Sequence, residues 1–163
     1  MASSALEPSL WIVGTGVTPA KPQSITVTVP ITTLTRMSPS EIVTAFIEAI
    51  ERKDIAAAAA LASPSISYEN MPMQPIVGRD AMVATLDMFL GAASEVDWVI
   101  LRQHEFANAV FNERIDRFRI GDGWLELAVA GVFEVDDDGR ITLWRDYFDL
   151  ASYQRQLAEL TEP

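Results

Sequence analysis

Three stretches of this chain place two acids, an arginine, a tyrosine and an asparagine where strand geometry would bring them together. Read as a strand, the segment Val110 to Ile120 alternates its side chains between two faces. One face carries Val110, Asn112, Arg114, Asp116, Phe118 and Ile120. Arg114 and Asp116 then sit side by side in a largely apolar row, which is costly unless both find partners. The segment Ile141 to Leu150 offers one, because Thr142, Trp144, Asp146, Phe148 and Leu150 share a face with a single acid in it. The segment Ile66 to Asn70 puts Ile66, Tyr68 and Asn70 on one side. If these faces converge, an arginine can bridge two carboxylates with its planar fork. Two acids in unequal surroundings can have their pKa values pushed apart, so that one is ionised and one protonated. The first can then draw a proton from water held by Tyr68 and Asn70 while the second gives a proton to a leaving oxygen. Spacing alone leaves another reading open, in which the same groups are a buried salt-bridge network that fixes strand register.

The elements that must position these residues follow from pattern. Ser38-Pro-Ser-Glu41 is a helix start with a capping serine, proline in the first turn and glutamate closing a capping box. Ile42, Ala45, Phe46, Ala49 and Ile50 then recur at helical spacing. Asp54 caps a second, alanine-rich helix to about Leu61, and Ser63-Pro64 breaks it before a strand to about Asn70. Met71-Pro-Met-Gln-Pro75 reads as a loop. Gly78 and Asp80 introduce a third helix to about Leu90, with Met82, Leu86, Phe89 and Leu90 on its buried side. Four strands follow: Glu95 to Phe106, the strand of Arg114, Trp124 to Val135, and the strand of Asp146. They are joined by turns at Ala107-Asn108, Gly121-Asp-Gly123 and Asp136 to Gly139. Ala151 to Leu160 is a terminal helix.

The expected fold is therefore α+β, a curved and mostly antiparallel sheet forming a cone roofed by helices, whose concave face is a natural pocket. Leu125, Leu127 and Val129 are expected to line it from one strand, and Phe118, Trp144 and Phe148 from its neighbours. Phe89 of the third helix, Met71 of the loop after the first strand and Tyr153 of the terminal helix complete the expected lining. Residues 1–36 are poor in charge and rich in Ser, Thr and Pro, with one short alternating run from Ser24 to Val29. They read as an N-terminal extension, partly disordered or docked on a neighbour, to a single domain spanning 37–163.

Composition excludes several classes. The chain has 163 residues, 49% hydrophobic and 21% charged, with a formal net charge of −11. That balance argues against nucleic acid and anionic membranes as partners. With no cysteine, thiolate chemistry, disulfides and zinc–thiolate sites are excluded. The single histidine, His104, reads as an ordinary strand or turn residue, so no metal site and no cofactor are expected. The longest apolar run, Ile55 to Ala62, is too short to span a bilayer. Met1 to Gly14 lacks the basic start of a signal peptide, so the expected location is cytoplasmic. No glycine-rich phosphate loop or nucleotide fingerprint is present.

The pieces Tyr68-Glu-Asn-Met-Pro72, Gly78-Arg-Asp-Ala81, Glu113-Arg-Ile-Asp116, Gly131-Val-Phe133 and Trp144-Arg-Asp-Tyr-Phe-Asp149, in this order and spacing, resemble the limonene epoxide hydrolase family. That family is a branch of the nuclear-transport-factor-2-like superfamily, and the resemblance covers about residues 38–155. It implies one-step addition of water to a small apolar epoxide, giving a vicinal diol without a covalent enzyme intermediate. Carried over by position, it implies that Asp146 is the general base and that Tyr68 and Asn70 orient its water. Asp116 is then the general acid, and Arg114 bridges the two acids. It also implies a homodimer formed through the sheet. Arg145, Glu113, Arg117 and Asp149 fall outside the pocket face. The same architecture hosts proton-shifting isomerases and cyclases, and non-catalytic ligand-binding modules. An isomerase needs one base and an oxyanion donor, and a binding module has no use for five polar groups on the interior.

Overall fold

A computed structural model describes residues 36–161 of the chain. The run from Ser24 to Val29, and the expected extension apart from Arg36, lie outside the described residues. Ten elements follow one another: α1 (Pro39–Glu51), α2 (Ile55–Leu61), β1 (Ala62–Met71), β2 (Ile76–Val77), α3 (Arg79–Gly91), β3 (Glu95–Phe106), β4 (Ala109–Ile120), β5 (Gly123–Val135), β6 (Ile141–Tyr147) and α4 (Leu150–Thr161).

Helix α1 begins as its sequence predicts. The Ser38 hydroxyl accepts from the Glu41 N–H at 3.2 Å, and the Glu41 carboxylate accepts from the Ser38 N–H at 2.7 Å. Its buried stripe of Ile42, Val43, Phe46, Ile47, Ala49 and Ile50 lies against the sheet. There Phe46 meets Phe133 and Trp144 edge-on. Removing a side chain as large and as buried as Phe46 would cost about 3–5 kcal/mol. Asp54 caps α2 through the Ala57 N–H at 3.0 Å. Helix α3 starts differently, with Gly78 at a φ of 100° and no side-chain cap.

The six strands form one mixed sheet in the order β2-β1-β6-β5-β4-β3. Strands β3 to β6 are an antiparallel meander, and β1 joins β6 in parallel. Irregularities interrupt the register within β1, in β3 between Ile100 and Arg102, and near the end of β5. Such bulges bend and twist a sheet, and here they accompany the curved cone expected from the sequence. Inward and outward residues alternate along β4 and β5 as predicted.

Three details differ from the sequence reading. Strand β6 ends at Tyr147, so Phe148 lies beyond it and Leu150 opens α4 instead of continuing the strand. Helix α2 gives way to strand at Ala62, ahead of Ser63-Pro64. Exposed Pro64 is tolerated there because it falls in the stretch where β1 and β6 are out of register. The proline-rich loop is followed by a short strand, β2, paired to Ser67 and Tyr68. Among the described residues no helix is long and apolar enough to cross a membrane.

Candidate active site

The inner face of the sheet, with α3 and α4 over it, encloses a cavity of about 490 Å³. This lies in the range of small-molecule sites. Eight of the nine expected pocket residues line it: Phe89, Phe118, Leu125, Leu127, Val129, Trp144, Phe148 and Tyr153. Met71 does not. It is in register with Tyr147, which is 46% exposed, and both follow the residues that point inward, Asn70 and Asp146. The pleat therefore turns Met71 to the other side, and Met73, two residues on, reaches the cavity instead. Sequence reasoning also missed Trp98 and Met88 as lining residues. Trp98 had a signal in the alternation of β3, but its place opposite Asp116 needed the strand register.

Strand register brings the polar residues to one end of this apolar chamber. Asn70 on β1 is aligned with Asp146 on β6, and Tyr68 with Trp144. The Tyr68 and Trp144 rings stack with centroids 4.1 Å apart. Asp146 is aligned with Gly131 on β5, which in turn faces Asn112 on β4. Arg114 and Asp116 follow on β4 with their side chains inward. Tyr68, Asn70, Asp116 and Asp146 all line the cavity, and Arg114 lies behind the carboxylates, fully buried.

The Arg114 guanidinium uses all three nitrogens. Nε donates to Asp116 Oδ1 at 2.8 Å, one terminal nitrogen donates to Asp146 Oδ2, and the other donates to Asn112 Oδ1 at 3.2 Å. Its carbon also sits 5.1 Å from the centroid of the Trp98 ring, a cation–π contact. A Cβ built on Gly131 would fall 2.5 Å from both Arg114 Nη1 and Asn112 Oδ1. Only a residue without a side chain leaves room for the guanidinium between the two strands.

The electrostatics separate the groups. Burial raises the Asp116 pKa to about 7, with the Arg114 charge opposing the shift and the Asp146 charge adding to it. Burial would lower the Arg114 pKa, but the two neighbouring carboxylates reverse that and raise it, so the residue stays charged. Burial also raises the Tyr68 phenol above its usual range, against the influence of Asn70 beside it, and keeps it neutral. Asp146 Oδ1 is buried with no protein hydrogen-bond partner. A buried carboxylate oxygen left this way calls for a water or a reacting group.

The residues set aside by the sequence are engaged elsewhere. Arg145 pairs with Glu69, Glu113 with Arg102 at 2.8 Å, and Arg117 with Asp97 and Glu126. Asp149 accepts from the Ser152 N–H at 3.1 Å at the start of α4. Exposed His104 is far from this role, lying in β3 opposite Phe111. No group of three or more His, Cys, Asp or Glu able to hold a metal occurs among the described residues.

Comparison with known proteins identifies relatives of this chain. The family described as limonene-1,2-epoxide hydrolase catalytic domain matches residues 37–159. Epoxide hydrolase EphG of Mycobacterium tuberculosis is 38% identical over 108 residues, 66% of this chain and 71% of that protein. The solved structure of an M. tuberculosis LEH-like epoxide hydrolase is 34% identical with a TM-score of 0.66, over 75% of this chain and 90% of the other. A nuclear-transport-factor-2-like protein of unknown function from Cytophaga hutchinsonii, 19% identical, shares the fold alone, with a TM-score of 0.61 over 76% of this chain and 97% of its own. The chain belongs to the limonene-1,2-epoxide hydrolase family and is a hydrolase acting on epoxides.

Proposed function

We propose that this enzyme adds water to a small apolar epoxide in one step, as limonene-type hydrolases do, and releases a vicinal diol. The observation that carries the reading is the buried Asp146–Arg114–Asp116 bridge, with one oxygen of Asp146 unpartnered beside Tyr68 and Asn70. Water hydrogen-bonded by Tyr68 and Asn70 gives its proton to Asp146 as its oxygen attacks an epoxide carbon. The C–O bond of the ring breaks, and the departing oxygen takes the proton of Asp116. The raised pKa of Asp116 keeps that proton in place near neutrality. Arg114 holds both carboxylates at a fixed separation and balances whichever is ionised. The apolar remainder of the chamber, from Phe89, Phe118, Leu125, Leu127, Val129, Trp144, Phe148 and Tyr153, would take the hydrocarbon part of the substrate. No metal or organic cofactor enters this scheme, in which the guanidinium supplies the positive charge between the carboxylates.

We also infer a homodimer through the outer face of the sheet, where Val99, Phe111 and Tyr147 are exposed apolar side chains. Division of the chain at about residue 36, with one catalytic domain after it, belongs to the same reading.

One turnover in heavy-oxygen water, with enzyme in excess, tests the mechanism. Direct attack by water puts the label in the diol at once and none in Asp146. Unlabelled diol in the first turnover, with label later in the aspartate, would mean a covalent ester instead. In addition, Asp116→Asn and Asp146→Asn should each fold and lose nearly all turnover. Substantial hydrolysis by either folded variant would sink the assignment of roles.

A further inference from the structure

We propose that Asn112 and Gln103 are positioning residues, which hold the Arg114 guanidinium in the plane that serves both carboxylates and tie it to the first turn of α1. The inference rests on the reading of Arg114 as the bridge between acid and base.

The chain of contacts is directional. Gln103 Nε2 donates to the Ser40 carbonyl at 3.0 Å, to the Ser40 hydroxyl at 2.9 Å and to the Thr44 hydroxyl at 3.0 Å. A backbone carbonyl only accepts, so the amide nitrogen of Gln103 must face it. Its oxygen is thereby turned toward Asn112, whose Nδ2 donates to it at 3.2 Å. That contact in turn aims Asn112 Oδ1 at Arg114, where it accepts from the terminal nitrogen that neither carboxylate uses. Reversing Asn112 would set an N–H against the guanidinium, and reversing Gln103 would set its oxygen against the Ser40 carbonyl and its N–H against that of Asn112. The α1 end is itself held, because Glu105 accepts from the Ser40 N–H at 2.9 Å. Two residues of β3 thus grip Ser40 by its donor and by its acceptors. Asn112 is 6% exposed and Arg114 is fully buried, so water is poorly placed to substitute for the amide.

Without Asn112 the guanidinium keeps its two carboxylate contacts but loses its third point of attachment, and with it a fixed plane. Angular errors of this kind weaken catalysis more than binding. A looser Arg114 also stabilises ionised Asp116 less, so the proton of Asp116 is held to higher pH.

The experiment uses the full chain and an epoxide that it hydrolyses. Asn112→Leu keeps the volume and removes the acceptor. Gln103→Met keeps the shape and removes the amide at a half-buried position, which makes it the safer variant for folding. The expected fall in kcat is about 10–100-fold for Asn112→Leu and smaller for Gln103→Met, with KM nearly unchanged. The basic limb of the pH–rate profile moves upward in both. The double variant is no slower than Asn112→Leu alone, because Gln103 acts through Asn112. A folded Asn112→Leu enzyme with parental kcat and an unmoved basic limb overturns the inference, even if its Tm is lower. So do effects of the two substitutions that simply multiply. Retained activity in Asp116→Asn or Asp146→Asn would instead bring down the reading of the site on which this rests.

Discussion

Gly131 gives the sharpest test of how tightly the site is built. Gly131→Ala adds one methyl group at a strand position where alanine is ordinarily tolerated at least as well as glycine. Here the added carbon would fall 2.5 Å from Arg114 Nη1, 2.5 Å from Asn112 Oδ1 and 3.0 Å from a ring carbon of Phe133. Ordinary contact distance is about 3.5 Å, so the guanidinium or the strand must yield by about 1 Å. Neither polar atom is the free end of a flexible chain, since Arg114 is tied to three partners and Asn112 to two. Overpacking of this kind costs about 1–3 kcal/mol of stability. A displacement of about 1 Å in a catalytic group is worth about 100-fold in rate, or about 2.7 kcal/mol of transition-state stabilisation. Diol formation under saturating substrate, measured beside a thermal melt, separates the two effects. The expected outcome is a folded protein with a Tm several degrees lower and kcat about 100-fold down. Gly123→Ala is the control, because its new carbon meets only the side-chain tip of Leu160 on α4, which can swing aside. A folded Gly131→Ala enzyme within a few-fold of the parent rate would refute the reasoning, as would equal losses in both variants.

Four other outcomes are expected. Asp116 must be protonated to act as an acid, so kcat/KM should fall as pH rises through about 7, the value to which burial raises it. A profile flat across that range would contradict its role. The same proton links pH to stability: the unfolded chain releases it near the ordinary 3.8, whereas the folded chain holds it to about 7. Stability should therefore decline between those values as pH rises, and Asp116→Asn should flatten the slope in denaturant titrations. Exhaustive chelation should leave turnover unchanged, and loss of activity restored by one particular metal would defeat the cofactor-free scheme. A chain beginning near Thr35 should fold and hydrolyse epoxide at the parent rate; if it folds but is inactive, the preceding residues contribute to the site or to a dimer.

Much of the site was legible because strands have a side-chain period of two. A charged residue on an apolar face of Val110 to Ile120 or Ile141 to Leu150 stands out without any knowledge of pairing, which is how Arg114, Asp116 and Asp146 were found. The helix starts at Ser38 and Asp54 were legible for a similar reason, since capping is settled by residues three apart. What the sequence could not supply was register between strands. The alignment of Asn112, Gly131 and Asp146 across β4, β5 and β6 is a property of three chain segments at once. Asn112 was visible on the same face as Arg114, but its partner Gln103 comes from β3 and its purpose depends on α1. Met71 failed for a local reason. Its apolar character fitted a pocket, yet it sits one residue from Asn70, and one residue in a strand reverses the face.

The arrangement also accounts for how so much charge can be buried without opposing the reaction. An isolated ionised carboxylate or guanidinium in an apolar interior is strongly unfavourable, and a single uncompensated partner destabilises the fold. In the proposed starting state, with Arg114 charged, Asp146 serving as base and Asp116 protonated, the cluster sums to zero. In the proposed step Asp146 gains a proton from water as Asp116 loses one to the epoxide oxygen, and the sum is again zero. Negative charge moves from one side of the guanidinium to the other, and Arg114 has a nitrogen on each carboxylate to receive it. In this scheme the desolvated cluster carries no net charge before or after bond breaking, and the step needs little rearrangement of the surroundings. In the proposed cycle, resetting the enzyme needs one proton to pass from Asp146 back to Asp116. Both carboxylates border the same cavity, so in that cycle the return can run through water in the chamber.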